Sequence, residues 1–277
     1  MKVVSFNVNS VRVRLHQLQQ LISAHQPDLI GLQETKVVDE DFPVEQIEEM
    51  GYQVFYHGQK SYHGVAMMTK VAPLHVQRGF AHDSADSQRR FIKCEFPLAD
   101  PLSDGQTLVV INGYFPQGEN RGHPSKFADK ERFYGDLLEH LNGEYSASQP
   151  LLIMGDMNVA PQDADVGIGE KNVKRWLRDG KCCFLPEERA WLKKLTDWGL
   201  QDTFRVCHAD VADQYSWFDY ISRGFEREPK RGLRIDLILA TDSLAARCQS
   251  AGIDQEIRAM SKPSDHCPVW SQFDLDL

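Results

Sequence analysis

The sequence predicts an α/β fold, with packed sheets and helices outside them. Three observations carry this. Short apolar runs of strand length, such as "LLIMGD" at 151–156, recur along the chain and end on polar residues. Between several of them lie segments with apolar residues at helical spacing. No Ser/Gly linker, low-complexity tract or clean composition break interrupts the 277 residues. That length fits one large α/β domain or two small ones, and the missing linker favours a single domain over 1–277.

The first element, "KVVSFNVN", alternates: Val4, Phe6 and Val8 face one way, and Ser5, Asn7 and Asn9 the other. Leu15, Leu18, Leu21 and Ile22 then recur at helical spacing until Pro27 and Asp28 break the helix. "LIGLQET" is a short strand ending at Glu34. "YQVFYHG", "HGVAMMTK" and "RRFIKCEF" follow without helices between them, which predicts antiparallel pairing. A turn-rich loop at 99–106 precedes the strand "TLVVINGYF". Phe133, Leu137, Leu138 and Leu141 mark one face of a helix in "FADKERFYGDLLEHL". After "LLIMGDMN", residues 159–189 are rich in Gly and charge and read as a long, partly helical surface excursion. "RAWLKKLTDWG" is a helix that Gly199 stops. "YSWFDY", "LRIDLILA" and "HCPVWSQF" are the last strand-like segments. A weak echo links strand–Asn7–helix–strand–Glu34 to a late strand–Asp156/Asn158–helix–strand, hinting at two similar halves in one domain.

Composition excludes some classes. Hydrophobic residues make up 42% of the chain, enough for a large core, yet no apolar run approaches the roughly 18 residues of a membrane span. Met1 leads straight into a strand, with no secretory leader, and this predicts a cytosolic protein. The six cysteines (Cys94, Cys182, Cys183, Cys207, Cys248, Cys267) show no CxxC spacing and read as reduced thiols. The net charge of −9 argues against a general nucleic-acid coat protein but does not locate a patch.

Polar residues gather at strand ends: Asn7 and Asn9, Glu34, Asn112 and Tyr114, Asp156 and Asn158, Asp265 and His266. A strand-end Asp or Asn alone is more often a turn or cap residue than a catalyst. Asp236 lies inside the apolar run "GLRIDLILA", where an unpaired carboxylate costs several kcal/mol. It needs a cation or strong donor on its own face, where Arg234 and Ile238 also lie; a structural salt bridge meets that need as well as a functional site does. Asp265 and His266 are neighbours whose side chains diverge in extended chain. His266 is therefore better oriented by a carboxylate from another strand, with Asp236 the natural candidate, and that pairing favours the imidazolium. Taken together the set is oxygen-rich. Hard ligands with one His suit Mg²⁺, with Mn²⁺ able to take its place, rather than structural zinc. Such a set serves phosphate-ester hydrolysis.

The motifs "SFNVNSVR", "LIGLQETK", "INGYFPQGE", "LIMGDMN", "YSWFDY", "GLRIDLIL" and "PSDHCPVW" stand in the order of the exonuclease III family of DNA-repair nucleases, within the endonuclease/exonuclease/phosphatase superfamily. The resemblance runs from Met1 to about Phe273. It implies a four-layered α/β sandwich of two mixed, mainly antiparallel sheets face to face, with the site at one edge. It implies that Glu34 is the main metal ligand with Asn7 beside it, and that Asp265 lies at a second metal position. Asp156 would position or deprotonate the attacking water, Asn158 would donate to a phosphate oxygen, and Tyr114 would contact the phosphate or leaving oxygen. His266, held by Asp236, would stabilise transition-state charge.

The implied substrate is duplex DNA, abasic or 3′-blocked, and the implied state a monomeric cytoplasmic enzyme of bacterial type working at the nucleoid. Trp217, Leu233 and Ile235 resemble the wall of a pocket for an extruded abasic sugar, where a missing base lowers the cost of extrusion. Lys171, Lys174, Arg175 and Arg178 lie at helical spacing; they read as a solvated face or, beside such a site, as phosphate contacts. Arg89 and Arg90 are candidates of the same kind. Ser10 stands where the family usually has Gly, and Cys267 where it has a small residue. Two other readings compete: a phosphatase or phosphodiesterase for inositol phosphates or lipids on the same fold, and a non-catalytic DNA-damage-binding or scaffold protein.

Overall fold

Strand alternation sorts the apolar residues of this chain into two faces, and in the central strands both are buried. The computed structural model describes residues 1–99 and 107–277. In chain order its elements are β1 (Lys2–Asn7), α1 (Val11–His25), β2 (Leu29–Gln33), α2 (Val44–Glu49), β3 (Gln53–His57), β4 (Val65–Thr69), β5 (His75–Arg78), β6 (Phe91–Pro97) and β7 (Thr107–Tyr114). There follow α3 (Lys126–Glu144), β8 (Leu151–Asp156), α4 (Glu170–Arg178), α5 (Pro186–Gly199), β9 (Leu200–Asp202) and α6 (Thr203–Cys207). The chain ends with β10 (Asp236–Thr241), α7 (Asp242–Ala245), β11 (Cys248–Ile253), α8 (Gln255–Arg258) and β12 (Val269–Phe273). One six-stranded sheet runs β11-β12-β1-β2-β4-β3 and the other β5-β6-β7-β8-β10-β9. β1–β2 and β7–β8 are parallel, and the other pairs are antiparallel.

Three apolar clusters make the layers. Val4, Phe6, Ile30 and Leu32 pack with Leu18 and Leu21 of α1 on the outside of the first sheet. Val109, Ile111, Leu151, Ile153, Leu237 and Leu239 pack under Leu137 of α3 and Leu195 of α5 on the outside of the second. Val3, Leu29, Met67, Val110, Leu152, Met154 and Ile238 fill the space between the sheets. This is the expected four-layered sandwich. Gly31 permits the close sheet-to-sheet approach: a Cβ there would lie 2.8 Å from Met154 Cε and 2.9 Å from Asn112 Cγ. Among the described residues no helix is long and apolar enough to cross a membrane.

Several expectations need correction. "RRFIKCEF" does not join the β3–β4 hairpin; it is β6, in the opposite sheet. The internal echo is real but sits elsewhere: the late counterpart of β1–α1–β2 is β7–α3–β8, the second parallel pair. "YSWFDY" is no strand; Trp217 alone forms bridges, to Leu233 and to His266. Asp236 opens β10 rather than lying within a strand, and β12 starts at Val269, so Asp265 and His266 lie in the loop before it. Residues 159–189 are no simple surface excursion, because Ala160, Ile168, Cys182, Phe184 and Leu185 pack with Leu233 and Ile235. Of the loop expected at 99–106, all after Ala99 lies outside the described residues.

The start of that segment is fixed by buried charge. Asp165, fully buried, accepts from Arg234 Nε at 2.7 Å and from Arg205, while Arg234 Nη2 donates to Asp202 Oδ2 at 2.6 Å. Arg234 is therefore not Asp236's partner. Removing one member of such a network strands its partners' charge, which costs about 3–5 kcal/mol. Asp165→Ala should lower unfolding stability by about that much in urea titration, and a loss well under about 1 kcal/mol would show that water replaces the carboxylate.

Candidate active site

The interior face of the second sheet changes character at one end. Its register sets Tyr114 beside Asp156 on the β7–β8 pair and Asp156 opposite Asp236 on the β8–β10 pair. Alternation turns all three toward the first sheet, in line with Leu152, Met154 and Ile238. Below this row, Gln33 donates to Asn112 Oδ1 at 2.6 Å, and Asn112 Nδ2 donates to the carbonyls of Leu32 and Ala66 at 3.0 and 2.8 Å. These bonds join the sheets where the apolar filling stops.

Glu34 comes from the facing sheet. It follows β2 with φ +52°, a left-handed conformation unusual for a glutamate. Asn7 Nδ2 bridges the sheets, donating to Glu34 Oε1 at 2.9 Å and Asp156 Oδ2 at 3.0 Å. His266 Nδ1 donates to Asp236 Oδ2 at 2.8 Å, and its Nε2 lies 3.7 Å from Asp156 Oδ2. Ser216 Oγ donates to Asp236 at 2.7 Å. Burial opposes charge on His266, but Asp236 and Asp156 outweigh it and raise the imidazole to about 10. Burial pushes Asp156 up to about 7, helped by Asp236 and Glu34 and opposed by His266. Burial also works against Glu34, but the Lys36 ammonium at 2.7 Å from Oε2 and the Asn7 amide hold it below the ordinary carboxylate range.

Asn158 reaches the site by a turn rather than by strand alternation. Its N–H donates to Asp156 Oδ1 at 3.0 Å, its φ is +53°, and its Nδ2 donates to the Phe115 carbonyl at 3.0 Å. Tyr114 ends β7, with the Arg90 guanidinium 4.5 Å from its ring centre and Arg90 Nη1 donating to its carbonyl at 3.0 Å. Asp265 accepts from Asn9 Nδ2 at 2.9 Å and from Trp217 Nε1 at 3.0 Å.

Glu34, Tyr114, Asp156, Asn158, Asp265 and His266 all border a cavity of about 390 Å³, whose apolar side is Trp217, Leu233 and Ile235. The basic candidates are more scattered. Lys171, Lys174, Arg175 and Arg178 are exposed on α4, with Lys174 paired to Glu170 and Arg178 to Asp179; Arg175 borders an adjoining cavity of about 300 Å³. Arg89 donates to the Ala85 carbonyl at 2.9 Å. Arg90, 9% exposed, supports Tyr114 from behind instead of offering a free charge to solvent.

Sequence reasoning missed several residues of the site. Gln117, Trp176, Lys181 and Ile221 also border the main cavity, and Ile221 is 94% exposed. Lys36 and His63 flank Glu34 and Tyr114; burial and Arg90 lower His63 to about 4, so it is neutral near pH 7. A lone aliphatic in the polar turn "DYISRG" was the one local signal available for Ile221.

Residues 4–266 match the Endonuclease/Exonuclease/phosphatase family. The chain belongs to that family. It is 55% identical over 273 residues to an exodeoxyribonuclease III of Haemophilus influenzae, covering 99% of this chain and all of that one. Among solved structures, an AP endonuclease from Archaeoglobus fulgidus superposes with a TM-score of 0.87 at 33% identity, and the 3′ phosphatase NExo from Neisseria, bound to a product DNA hairpin, with 0.85 at 36%; each covers 99% of both chains. As a member of this family the protein is a nuclease, a hydrolase of phosphodiesters.

Ligand atoms of Glu34, Asp156 and His266 lie within 4.8 Å of one another. His266 is protonated and spends Nδ1 on Asp236, so it brings charge rather than a lone pair. Two carboxylates remain, Glu34 and Asp156, both hard oxygen donors with the Asn7 amide between them. That donor set fits a hard divalent cation.

His266 carries the pH prediction. Its folded pKa lies above its ordinary 6.5, so its contribution to stability is complete below about pH 6.5 and is lost as pH rises through about 10. In metal-free protein, NMR titration should find the imidazolium intact at pH 8. Asp236→Asn should lower that pKa by at least about one unit, and an unchanged value would show that Asp236 does not hold the charge.

Proposed function

We propose that this protein is a Mg²⁺-dependent DNA-repair nuclease acting on duplex DNA. Its reactions would be incision 5′ to abasic sites, 3′→5′ exonuclease action and 3′-phosphate removal, in base excision repair. One observation carries the reading: Glu34, Asp156 and the His266 imidazolium converge at a cavity of about 390 Å³ that Trp217, Leu233 and Ile235 also line. The names of its relatives support the same substrate: an exodeoxyribonuclease, an AP endonuclease and a 3′ phosphatase bound to DNA. We further read the enzyme as a monomer of the cytoplasm.

The chemistry follows from the residues. Asp156 is buried and poised near neutrality, so it can orient a water and take its proton at Oδ2. His266 presents a charged Nε2–H on the same side and offsets the negative charge that builds on the phosphorus oxygens. Asp236 holds that imidazolium in place. Asn158 and Tyr114 contribute donors beside it. A divalent cation held by Glu34, with Asn7 beside it, would neutralise the phosphate and add Lewis-acid assistance; Asp265 would serve a second cation. Trp217, Leu233 and Ile235 would accept the abasic sugar and exclude a normal nucleotide. Lys171, Lys174, Arg175, Arg178 and Arg89 would contact flanking phosphates.

The deciding experiment uses a labelled duplex with one abasic-site analogue and a nicked duplex ending in a 3′-phosphate, each with Mg²⁺ and with EDTA. Metal-dependent incision and phosphate release are expected; silence on both would return the inositol-phosphate and non-catalytic readings. Asp156→Asn should slow hydrolysis at least about a hundredfold while sparing DNA binding, and normal turnover would remove its role with water. Trp217→Ala should impair abasic incision more than 3′-phosphate release, whereas equal losses would refute the sugar pocket.

A further inference from the structure

Behind the site lies a charge that the proposed chemistry does not use. Lys130 of α3 and Glu188 of α5 are both fully buried and paired with each other. An ammonium has three N–H donors, and here each has an acceptor. One goes to Glu188 Oε1, one to the Asn158 carbonyl at 2.8 Å and one to the Gln117 carbonyl at 3.3 Å. Glu188 spends its other oxygen on the Leu185 N–H at 2.8 Å, at the start of α5. One turn along α3, the Tyr134 hydroxyl donates to the Met157 carbonyl at 2.8 Å.

We propose that Lys130, assisted by Tyr134, is the positioning device that ties the Asp156–Asn158 turn to the Gln117 loop and thereby aims Asn158 into the reaction cavity. Two facts give the tie its direction. Burying an ion pair offers little stability over apolar side chains of similar size, so stability alone does not account for a charge here. Its two carbonyl acceptors, moreover, lie in the two loops that border the cavity, those after β7 and β8. The Asn158 backbone is left-handed, a conformation that persists when its surroundings over-determine it. Lys130 and Tyr134 supply two such constraints on consecutive carbonyls. The inference rests on the nuclease reading above, because it acts through Asn158.

The test is a cycle of variants assayed for abasic incision under single-turnover conditions, which keep slow rates measurable. Lys130→Met/Glu188→Gln removes both charges together and leaves no unpaired ion. It should stay folded, bind duplex DNA within about threefold of the parent, and react about ten- to a hundredfold more slowly. In an Asn158→Ala background the same pair of changes should cost less than about threefold further, because the residue it positions is gone. Tyr134→Phe, which deletes one hydroxyl, should show a smaller loss that is likewise absorbed by Asn158→Ala; it keeps the question answerable if the charge-free pair melts early. Losses that multiply through the Asn158→Ala background would overturn the proposal, as would unchanged rates in both Lys130→Met/Glu188→Gln and Tyr134→Phe. With an active parent, either result overturns the tie alone. A parent inactive on both duplexes removes the nuclease reading and the tie together.

Discussion

Asp156 and Asp236 stand directly opposite each other on the β8–β10 ladder, both about 1% exposed and both facing the other sheet. Like charges at opposed positions repel, and burial leaves little solvent to screen them. What makes the arrangement stable is the imidazolium of His266, 2.8 Å from one and 3.7 Å from the other. The placement of His266 in turn depends on the chain's last loop being stitched to its first strand. Ser264 Oγ donates to the Asn7 carbonyl at 2.7 Å and accepts from the His266 N–H at 3.2 Å. The bridge between Trp217 and His266 adds the apolar side of the cavity to the same assembly. A slip of one residue in β10 would turn Asp236 to the helix side and leave His266 without its carboxylate.

Strand geometry alone brings side chains only to the edge of the sheets. Turning them into a common space takes backbone that most residues avoid. Glu34, Lys36, His63 and Asn158 all have φ between +52° and +55°, and all lie at or beside the site. Ser10, where the family usually has Gly, has φ +90°, and its N–H still donates to the Glu34 carbonyl at 2.7 Å. A side chain at that φ carries local strain of about 1–3 kcal/mol. Cys267, the other departure, is a buried neighbour of Tyr215 and Phe218, as its small apolar character suggested.

How much of this was legible in the sequence varied with the range of the cause. A carboxylate at the end of an apolar run or inside one is a local pattern, so Asp156, Glu34 and Asp236 stood out. The Asp236–His266 bond followed from one geometric argument about diverging neighbours. Partners chosen by tertiary packing left no such trace. Arg234 lies next to Asp236's strand, yet its carboxylates, Asp165 and Asp202, come from distant segments. Lys130 sits within "ADKER", which reads as solvated helix, and only the packing of α3 against α5 shows it to be buried. The misplacement of β6 has the same origin: hairpin spacing indicates antiparallel pairing but does not say which of two sheets a strand joins. Motif order, spread over the whole chain, identified what single residues could not.

The site is therefore a property of two sheets rather than of one motif. Asn7 belongs to the first sheet and donates at once to Glu34, just past the end of β2 in that sheet, and to Asp156 in the other. Gln33 and Asn112 make a second such link a layer deeper. Below them the sheets are held apart by Met154, Met67 and Leu152, and held close by the missing side chain of Gly31. The distance between Glu34 and Asp156 is thus set by close-packed apolar side chains outside the cavity. Protein interiors resist compression and transmit small displacements, so that spacing is as rigid as the core itself. This explains why the polar row sits where the apolar filling ends and not deeper. There the carboxylates gain the rigidity of the interior, while one side of each borders the cavity.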